Sequence, residues 1–398
     1  MKVLVISHMY PSTFNEVAGI FVHEQVRAMM VKGVDVRVVS PVPWTPFPIK
    51  HLKKKWKRQS QVPEQALWEG VQVAYPRYLV FPRAMFYANS GKRMYRGIKD
   101  LVRSIYREFP FDLVHAHVAL PDGYAGALVA RDMRVPMVVT IHGQDLQHTV
   151  HRGVGCRSAL AFVLNHASRV IVVSRKLKRV ADQYFGCRDK LAVIHNGVDP
   201  HKVTVPNLAD STGLARRLIL LSVSNLLHTK GLDLNLLAVK RLRERYPGLC
   251  YKVIGGGVLD GKLRRAAASL NLDDCVEFLG RQPHHVVMDQ MAKCDIFTLP
   301  SWKEGFGVVY LEAMASGKPV IGCQGEGIED FVEHGKTGLL VKPRDVDSLV
   351  EALDFLLSHP EEVRTMGERA RKLVLENYTW EKNAEKTIQV YKEVLGER

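Results

Sequence analysis

The sequence predicts an α/β protein made of two doubly wound domains, each built on a parallel sheet. Three observations predict it. Short, β-branched apolar runs alternate with helical patterns through the first half of the chain. A proline-bearing stretch without periodicity then interrupts them. The same alternation restarts in the second half. At 398 residues the chain is long enough for two or three domains, each with its own core.

Taken in order, Lys2–Ile6 reads as the first buried strand, Val22 to Lys32 as a helix closed by Gly33, and Val34–Val39 as the second strand. Asp112–Ala116, Met137–Ile141, Val170–Ser174 and Leu191–Ile194 follow as strands separated by helical patterns. Asp199 to Ala215 carries Pro200, Pro206 and Gly213 and reads as a linker. Strands resume at Arg217–Ser222, Leu249–Ile254, Val276–Leu279, Asp295–Leu299 and Pro319–Ile321, and Trp380–Leu395 reads as an amphipathic helix. The expected organisation is a first domain over 1–200, a linker over 201–216 and a second domain over 217–379, with the helical tail 380–398 packing back on the first. Ligands of open α/β sheets bind outside the carboxyl ends of the strands, so chemistry is expected from both domains, across a cleft.

Composition is that of a soluble globular chain, and no apolar run approaches the roughly 18 residues of a membrane span. Six scattered cysteines without a C-x-x-C pair suggest free thiols and a cytoplasmic setting. The net charge is +15. Residues 1–200 hold 29 Lys and Arg against 14 Asp and Glu, while 201–398 hold 27 of each, so the whole excess lies in the first half. That points to an anionic partner for this half: membrane surface, nucleic acid or acidic glycan. The densest run, Lys50 to Arg58, contains Trp56 and suits an anionic lipid interface; it reads equally as a solvated loop.

Pro300-Ser-Trp-Lys-Glu304-Gly-Phe-Gly307-Val-Val-Tyr-Leu-Glu312 is the most informative stretch. It predicts a strand, a glycine-rich loop, a helix from Val308 to Ser316 capped by Gly317, and another strand. Gly305 and Gly307 let a ligand approach the N–H groups at the helix start, which favours anions. Were all eight steps helical, Glu304 and Glu312 would lie about 12 Å apart along the axis. That is too far for an acid/base pair on one bond, and it suits two grips on a long ligand.

Gly19 precedes the first helix and reads either as a phosphate approach point or as a tight turn. His142 ends a strand and precedes Gly143; it reads either as a group that donates to or exchanges a proton with a sugar hydroxyl, or as a structural histidine. His115 and His117 read as packing residues, and His195-Asn-Gly197 as a turn. Lys230-Gly231 at a helix start is a common way to hold phosphates. Gly255 to Gly257 permit close backbone approach or make a plain turn. No G-x-G-x-x-G follows the first strand, which disfavours a nicotinamide enzyme.

Together the Gly19 loop, His142-Gly-x-Asp145, His195-Asn-Gly-Val-Asp199, Lys230-Gly231, Gly255–Gly257 and Glu304-Gly-Phe-Gly…Glu312-Ala-Met-Ala-Ser-Gly317-Lys-Pro-Val320 resemble the glycosyltransferase family 4 enzymes of the GT-B fold, over essentially the full length. Within that family the chain looks like transferases of the teichuronic-acid and exopolysaccharide type. The resemblance implies retaining transfer of a hexose-type sugar from a nucleoside-diphosphate sugar, without a metal ion or other cofactor. It implies that Lys230 holds the diphosphate, Glu312 the ribose hydroxyls and Glu304 the donor sugar. Gly19, Gly257 and Gly305–Gly307, with Phe306 in that loop, are expected around phosphate or sugar, and His142 near the reacting centre. Catalysis would thus rest on His142, Lys230 and Glu304. Many members carry an arginine where this chain has Asn225; Arg281 is the candidate to replace that charge. The basic first half is expected to bind a glycan or lipid-linked acceptor at the inner face of the plasma membrane. The rival readings are a catalytically inactive sugar-nucleotide-binding partner and a nucleic-acid binder or modifier; the chain lacks a basic recognition helix.

Overall fold

The structure, a computed structural model, describes residues 1–44, 54–204 and 218–397. Residues 50–53 of the basic run and 205–216 of the expected linker lie outside the described residues. The chain forms two compact units, Met1–Asn196 with Trp380–Arg398, and Gly197–Thr379.

The first unit contains β1 (Lys2–Ile6), β2 (Asp35–Val39), β3 (Val42–Pro43), β4 (Gln65–Trp68), β5 (Val71–Ala74), β6 (Arg77–Tyr78), β7 (Leu113–His117), β8 (Met137–Ile141), β9 (Arg169–Val172) and β10 (Leu191–Val193). Among the described residues its main sheet runs β10-β9-β8-β7-β1-β2-β5-β4, and β3 pairs with β6 in a small ribbon. Every pairing of the main sheet is parallel except β4 with β5. Val3, Leu4, Val5 and Ile6 are fully buried, as are Leu113, Val114, Val138 and Val139. Near-continuous apolar runs of this kind are what a parallel sheet covered on both faces requires.

The β4–β5 hairpin is absent from the sequence reading. Its two-residue turn is Glu69-Gly70, both at positive φ (43° and 85°). Glutamate is a poor residue for that conformation, so the usual Asn-Gly or Asp-Gly signal is missing. The helix Trp380–Leu395 packs on the helix Ile20–Val31. Gln25 donates from Nε2 to Asn383 Oδ1 (2.6 Å) and Thr387 Oγ1 (3.1 Å), and Lys32 pairs with Glu381 and Glu385.

The second unit contains β11 (Leu218–Val223), β12 (Leu249–Ile254), β13 (Val276–Gly280), β14 (Ile296–Thr298), β15 (Val320–Cys323) and β16 (Gly338–Val341). They form an all-parallel sheet ordered β13-β12-β11-β14-β15-β16. The helix expected over Val308–Ser316 spans Val308–Ala315, and Gly317 sits beyond it at φ 75°. Among the parallel strands the order of each sheet switches direction at β1/β7 in the first unit and at β11/β14 in the second. Loops leaving those strand ends diverge and leave room for a ligand.

Candidate active site residues

In the second unit the switch point brings together two loops. The chain leaves β11 through Ser224 and Asn225, makes a short turn over His228–Lys230, and enters the helix Leu232–Leu242 at Gly231. Gly231 has φ 68°, and a Cβ there would lie 2.5 Å from the Pro300 carbonyl oxygen, so only glycine lets the loop after β14 pack this closely. That loop is stitched on by Trp302 N–H to Thr229 O (3.0 Å) and Ser301 Oγ to Thr229 O (3.2 Å).

The stitching sets Lys230 against Glu304. Nζ donates to Oε2 at 2.6 Å, and the two side chains are only 18% and 15% exposed. A charge-assisted bond in such a setting is among the stronger polar contacts a protein makes. Glu304 is fixed further by Glu326, whose Oε2 accepts the Glu304 N–H at 2.6 Å. Glu326 itself is 7% exposed. The sequence reading did not single out Glu326; its partner stands 22 positions away and no spacing rule links them.

Gly307 caps the helix Val308–Ala315 at φ 93° without a side-chain bond. A Cβ on it would meet the Tyr310 ring at 2.5 Å. The first N–H groups of a helix lack intrahelical acceptors and carry the positive end of its dipole. Glu312 lies on the first turns of this helix, with Oε1 2.9 Å from Nε2 of His284, a partner that the sequence reading also missed. Gly305 is buried beside Gly327, where a Cβ would lie 2.3 Å from the Gly305 carbonyl oxygen.

Phe306 departs from the expected donor set. Its ring is 2% exposed and packs on Phe331 at a centroid distance of 5.0 Å, so its side chain is a core residue and only its backbone can meet a ligand. The glycine run is also re-read. A Cβ on Gly257 would lie 2.6 Å from Leu226 O and one on Gly255 1.8 Å from Ser224 O, so the close approach these glycines permit is to the β11 loop. Asn225 is exposed, and Arg281 is exposed with its guanidinium on Gly256 O (3.3 Å). Among the described residues no ion pair or hydrogen bond joins Arg281 to Glu304.

In the first unit the switch point gathers histidines and aspartates. His142, at the end of β8, stacks on His117 with planes 12° apart and Nε2 3.0 Å from His117 Nδ1. Phe21 packs on its ring at 4.6 Å. Burial holds both His142 and His115 down to about 3, and His117 well below its ordinary value. At neutral pH the His142 imidazole is therefore uncharged and a poor proton acceptor, which narrows its expected role to hydrogen bonding. Its Nδ1 and the Nε2 of His117 are buried atoms without a hydrogen-bond partner. Such groups are rare in folded chains. His115 is structural: its ring nitrogens meet Tyr391 Oη at 2.6 Å and Thr140 Oγ1 at 2.7 Å.

Asp145 accepts the Ala119 N–H (2.7 Å) and the Leu120 N–H (3.2 Å), clamping the loop after β7 to that after β8. Burial nonetheless pushes its carboxyl up to about 6. His8, directly after β1, pairs through Nδ1 with the fully buried Asp122 at 2.7 Å. No local pattern could reveal this pair, because 114 positions separate its members. Gly19 caps the helix Ile20–Val31 at φ 64°, and a Cβ there would lie 2.1 Å from Met9 O; it is required by the turn, whatever else it meets. Among the described residues no group of three or more His, Cys, Asp or Glu is placed to hold a metal ion.

The family model "Glycosyltransferase Family 4" matches residues 18–202, and "Glycosyl transferases group 1" matches residues 207–373. A Bacillus subtilis (strain 168) protein named "Putative teichuronic acid biosynthesis glycosyltransferase TuaC" is 28% identical over 358 residues, covering 89% of this chain and 88% of the relative. Sucrose-phosphate synthase from Thermosynechococcus elongatus superposes with a TM-score of 0.81 at 21% identity, covering 100% of this chain and 99% of that one. Anabaena HepE in complex with UDP-glucose superposes with a TM-score of 0.73 at 20% identity, covering 99% and 100%. With two family models spanning most of its length, and a GT-B fold in which each unit is doubly wound, the chain belongs to the family 4 type of glycosyltransferases.

Proposed function

We propose that this glycosyltransferase moves a hexose-type sugar from a nucleoside-diphosphate sugar to a glycan or lipid-linked acceptor in the synthesis of a cell-surface polysaccharide. The observation that carries the reading is the Lys230–Glu304 pair, held at the switch point of the second sheet beside the glycine-framed start of the helix Val308–Ala315. The teichuronic acid assignment in the name of the Bacillus relative supports the acceptor class, and the UDP-glucose bound to HepE supports the donor class.

In this reading the donor binds to the second unit. Charge developing on the leaving diphosphate is met by Lys230 and the helix start, which are already in place. Glu304 orients the sugar; because it is bonded to Lys230, it acts as a positioning group rather than a covalent nucleophile. Glu312 grips the ribose. The acceptor hydroxyl attacks the face that the diphosphate leaves, a phosphate oxygen takes its proton, and the anomeric configuration is kept without a resident metal. His142, neutral and with Nδ1 unpaired, hydrogen-bonds a sugar hydroxyl. The enzyme works in the cytoplasm, on the inner face of the plasma membrane. Among the described residues no helix is long and apolar enough to cross a membrane.

The test is a thermal-shift panel of UDP, GDP, ADP and their sugars. Ligand at ~100 times its Kd stabilises by about 2.7 kcal/mol, enough to raise the transition by several degrees. One responding base defines the donor class, and the anomer formed with that donor reports the stereochemistry. A flat response to every nucleotide would remove the donor assignment.

A further inference from the structure

We infer that the exposed apolar loop from Leu79 to Phe86 inserts into an anionic lipid surface and is the point at which the first unit docks to the membrane. The inference rests on the membrane part of the proposed function and names the segment that makes the contact.

Exposure comes first. Leu79 is 43% exposed, Val80 38%, Met85 52% and Phe86 63%, all within eight residues. Lone exposed apolar residues are ordinary, but a contiguous group marks an interaction surface. Trp44, 51% exposed, extends it: its N–H is bonded to the Tyr78 carbonyl at 2.7 Å, directly beside Leu79.

The loop is also held in shape. Arg83, Ala84 and Phe86 adopt φ of 52°, 55° and 54°, values that non-glycine residues rarely take. Arg93 secures them from the next helix, Ser90–Glu108. Its Nε donates to Leu79 O at 3.2 Å, one terminal nitrogen donates to Phe86 O at 3.1 Å, and its guanidinium lies 4.9 Å over the Phe81 ring. Both ends of the loop are thus tied to one side chain, and the tip is displayed rather than folded inward. Strained backbone kept in place by its surroundings is a recurrent mark of functional segments.

Charge selects the partner. From Gly70 to Lys99 the chain has six cations (Arg77, Arg83, Lys92, Arg93, Arg96 and Lys99) and no Asp or Glu. Arg83, Lys92 and Arg96 are exposed. Arg77 links this patch to the basic run: its guanidinium donates to the carbonyls of Gln59 and Ser60, which end the helix Lys54–Ser60, and of Val62 just past it, and on that helix Lys57 and Arg58 are exposed. Trp56, the residue expected to sit at the interface, is half-buried, so the apolar contact comes from the loop. Apolar tips ringed by guanidinium and ammonium groups match a bilayer with anionic headgroups, where the tips enter the acyl boundary and the cations stay among the phosphates. A nucleic acid would use the cations but leave the aliphatic tips in water.

The full chain is tested by co-sedimentation with phosphatidylcholine vesicles, with and without phosphatidylglycerol. Binding is expected only to the anionic vesicles and to weaken with salt. Leu79→Ser with Val80→Ser, and Met85→Ser with Phe86→Ser, should each lower the partition coefficient about tenfold or more while circular dichroism shows the fold retained. Phe86→Trp, read as a difference spectrum against the parent protein, should shift to the blue on anionic vesicles alone. Unchanged partition in both double variants, an unshifted tryptophan, or variants that keep vesicle binding but lose binding of a soluble glycan or nucleic acid would each overturn the loop assignment. Donor and acceptor are absent from these assays. In a separate transfer assay with the donor that the thermal-shift panel selects, vesicle binding without transfer would refute the proposed reaction and spare the loop; transfer without vesicle binding would do the reverse.

Discussion

The two switch points of this chain have opposite electrostatic character. In the second unit, charge is kept and paired: Lys230 faces Glu304, and Glu326 holds the Glu304 backbone. In the first unit, charge is suppressed in the cluster of His115, His117 and His142, held neutral by burial, and at Asp145, pushed up to about 6, while His8 keeps a charged partner in Asp122. The first unit nevertheless carries the whole positive excess of the chain. That excess lies on exposed side chains such as Arg83, Lys92 and Arg96 and not in the histidine cluster. Surface charge and site charge are set independently, and the difference fits a division of labour. A diphosphate needs a preformed counter-charge, whereas sugar hydroxyls need neutral hydrogen-bonding groups.

The largest effect is expected from breaking the charged half. Lys230→Ala should lower kcat/KM by about 10²–10³, the range seen when one preorganised charge-stabilising donor is removed. Glu304→Ala should lower it strongly as well, and the two together should lose less than the sum, because they act as one unit. His142→Ala should also lower transfer strongly with the fold intact. Transfer assays with circular dichroism on each variant decide the matter, and full activity in all three single variants would sink the assignment.

The neutral half should reveal itself through pH. A histidine whose folded value is depressed contributes stability that is complete above about 6.5 and is lost as pH falls toward its folded value, here about 3 for His115 and His142. Every tenfold difference in proton affinity between the folded and unfolded chain corresponds to about 1.4 kcal/mol. Asp145 acts in the opposite sense between about 4 and 6, since its folded value is raised. The raised His8 and buried Asp122 act with Asp145. The three depressed histidines His115, His117 and His142 are displaced further than Asp145, so the contribution of the histidine cluster with Asp145 falls on acidification from about pH 7 to about pH 5. Urea melts of the parent chain would show this, and a partner-preserving His115→Gln should flatten the slope. A pH-independent midpoint across that range would mean the cluster is not held neutral.

The smallest effect concerns the position where the family's usual arginine is missing. Asn225 is exposed, so Asn225→Arg should change folding stability by no more than ~0.5 kcal/mol. With a cation added near Lys230 in sequence, nucleoside-diphosphate affinity should rise several-fold. Calorimetric titration of parent and variant checks this; unaltered affinity would show that Asn225 lies too far from the diphosphate to share its charge.

The sequence by itself determined the alternation of strands and helices, the restart at β11, the helix closed by Gly317 and the strand–loop–helix unit around Glu304. These are set by periodicity, propensity and the backbone freedom of glycine, all of which act over a few residues. The tertiary structure decided the rest. It paired Lys230 with Glu304 across 74 positions and His8 with Asp122 across 114, and set Glu326 under the Glu304 amide. It turned the Phe306 ring into the core and spent the close approach at Gly19 and Gly257 on the chain's own carbonyls. It built the β4–β5 hairpin on a Glu-Gly turn that local rules disfavour. A side chain's partner depends on which strands become neighbours in the sheet, and strand order is fixed by how whole elements bury their faces, information that no local stretch of sequence carries.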